Sequence, residues 1–194
     1  MKEELREVIV DGKVIPGYYV SNFGNVYGIP LSRASDGRWY RNLSSDYKLL
    51  KPNAKKNREH LYVNLCFQNG LFEDYEYAPT SRSKSTSTVK KFVHQLVMNA
   101  FRPIMNHPPR ALEPYWDTIH PAVKEWIAQT VYINHIDHDP TNNHVDNLEY
   151  VTPRENTRKA ITHYGGNVAN KNKIIIPKKK ENKITLLQFV QSDT

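Results

Sequence analysis

The chain has 194 residues, a formal charge of +7 and an ordinary apolar content, enough for one compact domain or two small ones with a modest core. No apolar run approaches the length of a membrane span, and the charged opening Met1–Val10 lacks the apolar segment of a secretory signal. A single cysteine, Cys66, excludes an internal disulfide and any cysteine-rich zinc cluster, and a reducing cytoplasm is the expected setting.

Taken in chain order, the first segment reads as short strands broken by turns. Val8-Ile9-Val10 and Lys13-Val14-Ile15 flank Asp11-Gly12, a hairpin turn. Tyr19-Val20 and Val26-Tyr27 are two further strand edges, joined by the turn Ser21-Asn22-Phe23-Gly24-Asn25. Residues 31–46 are polar and turn-rich, which predicts a loop. Leu49 to Pro52 ends a short strand, and residues 60–68 form the next, with Cys66 expected as a buried, inert thiol. Residues 72–88 read as irregular, their serine- and lysine-rich end as a mobile basic loop. Val89–Val93 returns as a strand, and residues 94–101 have helical spacing, with Leu96, Val97, Ala100 and Phe101 on one side until Pro103 stops them. Residues 103–130 are expected to be a packing insert that crosses irregularly and ends in a short helix opened by Pro121.

The densest chemistry follows. Val131-Tyr132-Ile133 is a strand that delivers Asn134 and His135 at its end; residues 137–146 form a loop, and Leu148 to Val151 is the returning strand. A helix then begins with Thr152 as N-cap, Pro153 in the first position and Glu155 completing a capping box; it is expected to run to about residue 163 or 164. Phosphodiester hydrolysis needs a base to activate water and a cation to stabilise charge on phosphate and leaving oxygen. An imidazole, ordinarily titrating near 6.5, suits the first role, and amide or carboxylate oxygens suit Mg²⁺ or Mn²⁺. His135 is the candidate base, Asn134 and Asn156 are the candidate ligands, and Asn147 ties the loop to the strand. Asp137, Asp139 and Asn142 open like a calcium-binding EF-hand loop, but Asn142 stands at its glycine position and Leu148 at its bidentate glutamate. His138, His144 and His163 match no zinc spacing.

Lys and Arg recur along the chain, concentrated at residues 33–41, 48–58, 82–91 and 154–183, which favours contact with a long polyanion at several points. Arg33, Arg38, Arg41, Lys51, Lys55, Lys56, Arg58, Arg154 and Arg158 are the candidate contacts to such a polyanion, which the resemblance given next implies to be DNA.

These residues resemble the phage-type HNH homing endonucleases. Val93-His94-Gln95-Leu96-Val97 with Ala100-Phe101 looks like the helix before that family's core. Asn134-His135, Asn147-Leu148-Glu149 and Thr152 through Asn156 look like the core itself, in order and at matching spacing. Gly17 through Tyr27, with Leu50-Lys51-Pro52, is similar to the small β-module that precedes it. The resemblance implies an α+β fold: an N-terminal antiparallel β-module over residues 1–92, a ββα-metal nuclease core over 93–164 with an insert at 103–130, and a basic extension over 165–194. It implies His135 as general base, Asn134 and Asn156 as ligands of Mg²⁺ or Mn²⁺, and Asn147 as the structural asparagine. It further implies a monomer that nicks one strand of double-stranded DNA, with no obligatory protein partner and no membrane, in the host cytoplasm if phage-encoded. Asn134 stands where some relatives carry aspartate, which implies a weaker hold on metal until DNA phosphate completes the shell. A catalytically silent DNA-binding regulator on the same fold is the alternative.

Overall fold

The computed structural model describes residues 2–36, 39–42, 45–55, 58–68 and 86–164. The chain divides into two compact units, Met1–Lys159 and Ala160–Thr194; of the second, only the helical residues 160–164 are described. The fold is mixed α and β, with antiparallel sheets and few helices.

Strands β1 (Leu5–Val10) and β2 (Lys13–Ser21) form the expected hairpin. Asp11 (φ 49°) and Gly12 (φ 77°) both take the left-handed conformation that a tight two-residue hairpin turn demands. Strand β3 (Val26–Gly28) pairs with β2, placing Tyr19 opposite Tyr27 and Val20 opposite Val26. Residues 31–46 do not form a plain loop: β4 (Leu31–Arg33) pairs with β5 (Trp39–Arg41) as a small ribbon. Strand β6 (Lys48–Leu49) closes the first sheet on β3, giving the order β1-β2-β3-β6.

A second sheet joins β7 (Asn53–Lys55), β8 (Arg58–Gln68) and β9 (Thr86–Phe92) in sequence order. Strand β7 was not expected. Thr86 to Thr88, read as the end of an irregular basic segment, pair instead with Gln68 to Cys66 and begin β9, while residues 69–85 lie outside the described set. Cys66 is half-buried, not buried, because the long β8 turns its Val63, Leu65 and Phe67 face to the core and leaves the other face nearer water.

Helix α1 (Val93–Phe101) follows β9 directly and buries Val93, His94, Leu96, Val97, Met98 and Ala100. The insert then adds a 3₁₀ segment at Glu113–Thr118, anchored by the buried Trp116, whose indole N–H donates to the Met105 carbonyl at 2.8 Å. Helix α2 (Pro121–Thr130) follows with proline at its start, as expected. Strands β10 (Tyr132–His135) and β11 (Leu148–Val151) pair antiparallel, and α3 (Pro153–Tyr164) completes a strand–strand–helix unit. One apolar core joins the early sheets to α1 and the β10–β11 region: Val8, Val20 and Val63 cluster with Leu96, Val97, Val145 and Leu148. No helix among the described residues is long and apolar enough to cross a membrane.

Candidate active site

The β10–β11 pair sets the frame, with Asn134 directly opposite Glu149 and His135 opposite Leu148. His135, at the strand's last position, is 5 % exposed and lies beside Asn143, which is 3 % exposed. Asn143 Nδ2 donates to the Thr141 carbonyl at 3.0 Å, which fixes the orientation of the amide. Its Oδ1 therefore faces His135 Nε2 at 3.2 Å, and an amide oxygen can only accept. The neutral ring thus carries its proton on Nε2, and the lone pair falls on Nδ1.

The loop between the strands is self-organised. Asp137 accepts from the Asp139 backbone N–H and from Asn147 on one oxygen, and from Asn142 on the other. Asn147 returns its Oδ1 to the Asp137 N–H at 3.0 Å and donates to the Asn142 carbonyl at 2.8 Å. Burial alone raises the Asp137 carboxyl, but the bonds from Asn147, Asp139 and Asn142 outweigh it and hold the group below its usual range. Asn147 thus spans the loop's two ends with its side-chain amide. His138 takes a left-handed conformation (φ 63°) within the loop, and Asp139 caps the next turn by accepting from Thr141.

Asn134 Nδ2 donates to Glu149 Oε1 at 2.9 Å, so its single oxygen, Oδ1, remains for a cation. Glu149 also pairs with Lys159 of α3. Asn156 is half-buried and lies three residues before Lys159, hence on the same helix face that Lys159 uses to reach β11. The helix start is built as the sequence foretold: Thr152 Oγ1 accepts from the Glu155 N–H at 3.2 Å, and Glu155 Oε2 accepts from the Thr152 N–H at 2.9 Å. That bond from the Thr152 backbone, and then its hydroxyl, holds the Glu155 carboxyl below its usual value.

Two histidines that the sequence reading did not place lie next to His135. His60 of β8 and His94 of α1 stand with ring centroids 5.5 and 5.3 Å from it and 5.2 Å from each other. One nitrogen from each ring lies within 4.8 Å of the others. Burial, then the neighbouring His135 and His60, push His94 down to about 3. The only sequence signal for this group was residue type, since the three rings come from distant strands and a helix.

The turn Ser21 to Asn25 from the early sheet reaches this loop as well. The Val145 N–H donates to the Asn22 carbonyl at 2.8 Å, and Phe23 stacks on His144 at 5.2 Å. Gly24, at φ +84°, sits against Asn143 so closely that a Cβ there would lie 2.6 Å from the Asn143 Cβ.

Of the candidate DNA contacts, Arg33, Lys51, Arg154 and Arg158 are exposed, and Arg41, Lys55 and Arg58 lie on β5, β7 and β8. Arg38 and Lys56 lie outside the described residues.

Residues 129–158, from the end of α2 into α3, match the family model described as HNH endonuclease. A SPbeta prophage-derived protein of Bacillus subtilis (strain 168), YosQ, named as a candidate HNH homing endonuclease, is 41% identical over 59 residues, 28% of this chain and 33% of that protein. The chain thus matches about a third of the length of this curated relative. A solved structure titled "DNA binding and cleavage by the HNH homing endonuclease I-HmuI" is similar with a TM-score of 0.46 and 20% identity, covering 86% of this chain and 62% of that one. The resemblance to HNH homing endonucleases read from the sequence is therefore met by both the family model and the curated relative.

Proposed function

We propose that this chain, whose residues 129–158 match the HNH endonuclease model, is a homing-type DNA endonuclease that hydrolyses one strand of a duplex with a divalent metal ion. The observation that carries this reading is the setting of His135 within that segment: Asn143 Oδ1 lies 3.2 Å from Nε2, which leaves the Nδ1 lone pair available to take a proton. In this role His135 takes a proton from the attacking water. Asn134 Oδ1 and the Asn156 side chain supply hard oxygen donors, which fits Mg²⁺ or Mn²⁺. When bound, such an ion stabilises charge on the phosphate and the leaving oxygen. Asn147 holds the loop that frames the base.

Residues 1–92 serve as the DNA-binding module on this reading, with 93–164 as the nuclease core. Exposed Arg33, Lys51, Arg154 and Arg158 contact phosphates, together with the other basic positions of β5, β7 and β8. One centre of this kind per chain accounts for a nick made by a monomer. The test is relaxation of supercoiled plasmid carrying candidate target DNA, in Mg²⁺ or Mn²⁺. Accumulation of open circles, arrested by EDTA, is expected; a linear product without an open-circle phase would overturn the nicking assignment. Specific DNA binding with no break under any metal would replace the enzyme with the silent regulator.

A further inference from the structure

Of the three clustered histidines only His135 takes part in the site just described, and the donor set of the cluster suits a different ion. We propose that His60, His94 and His135 form a binding site for a transition-metal ion of the zinc class, with a fourth position open to water. One nitrogen of each ring lies within 4.8 Å of the other two. A tetrahedral zinc centre brings its nitrogens to roughly 3.4 Å of one another, so small ring movements close the site. His60 is exposed, whereas His94 and His135 are buried.

A second observation points to a ligand. His94 is 8 % exposed, and its Nδ1 is the only buried side-chain nitrogen or oxygen among the described residues with no hydrogen-bond partner. An orphaned buried nitrogen is costly, and a metal ion would satisfy it. The cluster holds no carboxylate and no thiolate. Three neutral imidazoles favour Zn²⁺, Co²⁺ or Ni²⁺ and give Mg²⁺ little, because Mg²⁺ demands oxygen and retains its water. With Nε2 of His135 committed to Asn143, Nδ1 is the nitrogen left to coordinate.

That atom is the one the nuclease reading uses as base. An ion seated there occupies the lone pair, so the site is inhibitory. The binding claim stands apart from the nuclease reading, and only the inhibitory consequence rests on it.

The full chain without DNA is titrated with Co²⁺ and followed by visible absorption. The site predicts the d–d bands of a four-coordinate ion, displaced by Zn²⁺, and a Zn²⁺-dependent rise in melting temperature. His60→Ala, a change at an exposed position, is expected to weaken Co²⁺ by at least about tenfold, while Asn156→Ala leaves it unchanged. Absent bands, or equal affinity in His60→Ala, overturn the site. In Mg²⁺-supported nicking, added Zn²⁺ is expected to stop the reaction of the wild-type chain. Bound Zn²⁺ with undiminished nicking overturns the inhibitory role, whereas a chain that never nicks removes the nuclease reading and leaves the Co²⁺ result standing.

Discussion

An imidazole works as a base only through a nitrogen whose lone pair is exposed to the proton it takes, so the partner of its other nitrogen decides its usefulness. For His135 that partner is Asn143, whose own amide is oriented by the Thr141 carbonyl. Asn143 is a positioning residue on this account, and its substitution separates orientation from structure. Asn143→Asp keeps an acceptor on Nε2 but makes it anionic, which stabilises the protonated ring. The expected result is a retained reaction whose acidic limb moves upward in pH by about one unit or more, read from the pH dependence of kcat/KM. An unchanged pH profile with reduced rate would assign Asn143 to structure alone. The Asn134 amide is similarly committed, with Nδ2 on Glu149 and the oxygen left over.

At the level of elements, the loop between β10 and β11 is supported from outside its own strand pair. The early turn at Ser21 to Asn25 touches the loop through Asn22, Phe23 and Gly24, and Gly24 abuts the residue that orients His135. Gly24→Ala combines a left-handed backbone with a Cβ that has no space. The φ term alone costs about 1–2 kcal/mol, and the displaced Asn143 adds a loss of cleavage rate. Thermal melting and single-turnover cleavage check both, and a variant with wild-type values in each would contradict the coupling. Elements with local determinants were legible from sequence. Asp11-Gly12 announces its turn because few residue pairs accept two positive φ angles, and Thr152, Pro153 and Glu155 announce a helix start because every partner lies within four residues. The β4–β5 ribbon was not legible, since strands of three residues are too short to show an alternating apolar pattern. His60 and His94 were missed as neighbours of His135 for a related reason. Their meeting is a product of how β8, α1 and β10 pack, which no local spacing encodes.

For the whole molecule, the shared core ties stability to a buried neutral histidine. His94 titrates at about 3 when folded against an ordinary 6.5, so the unfolded chain binds more protons anywhere between those values. Stability is therefore expected to fall as pH drops from about 6.5 towards 3, through this group alone. His94→Gln should flatten that part of the urea-unfolding profile, and an equally steep decline in the variant would contradict the assignment. The charge of +7 makes a separate prediction about partners. If several Lys and Arg residues meet phosphates, DNA affinity falls on the order of a thousandfold between about 50 and 200 mM salt, and a flat dependence would remove the multipoint contact. The central claim, that this centre cuts DNA with His135 as its base, is tested most directly by comparing wild type and His135→Ala on the same supercoiled plasmid in Mn²⁺, with binding measured in parallel. Cleavage is expected to vanish while DNA binding persists; equal nicking by the alanine variant would contradict the account.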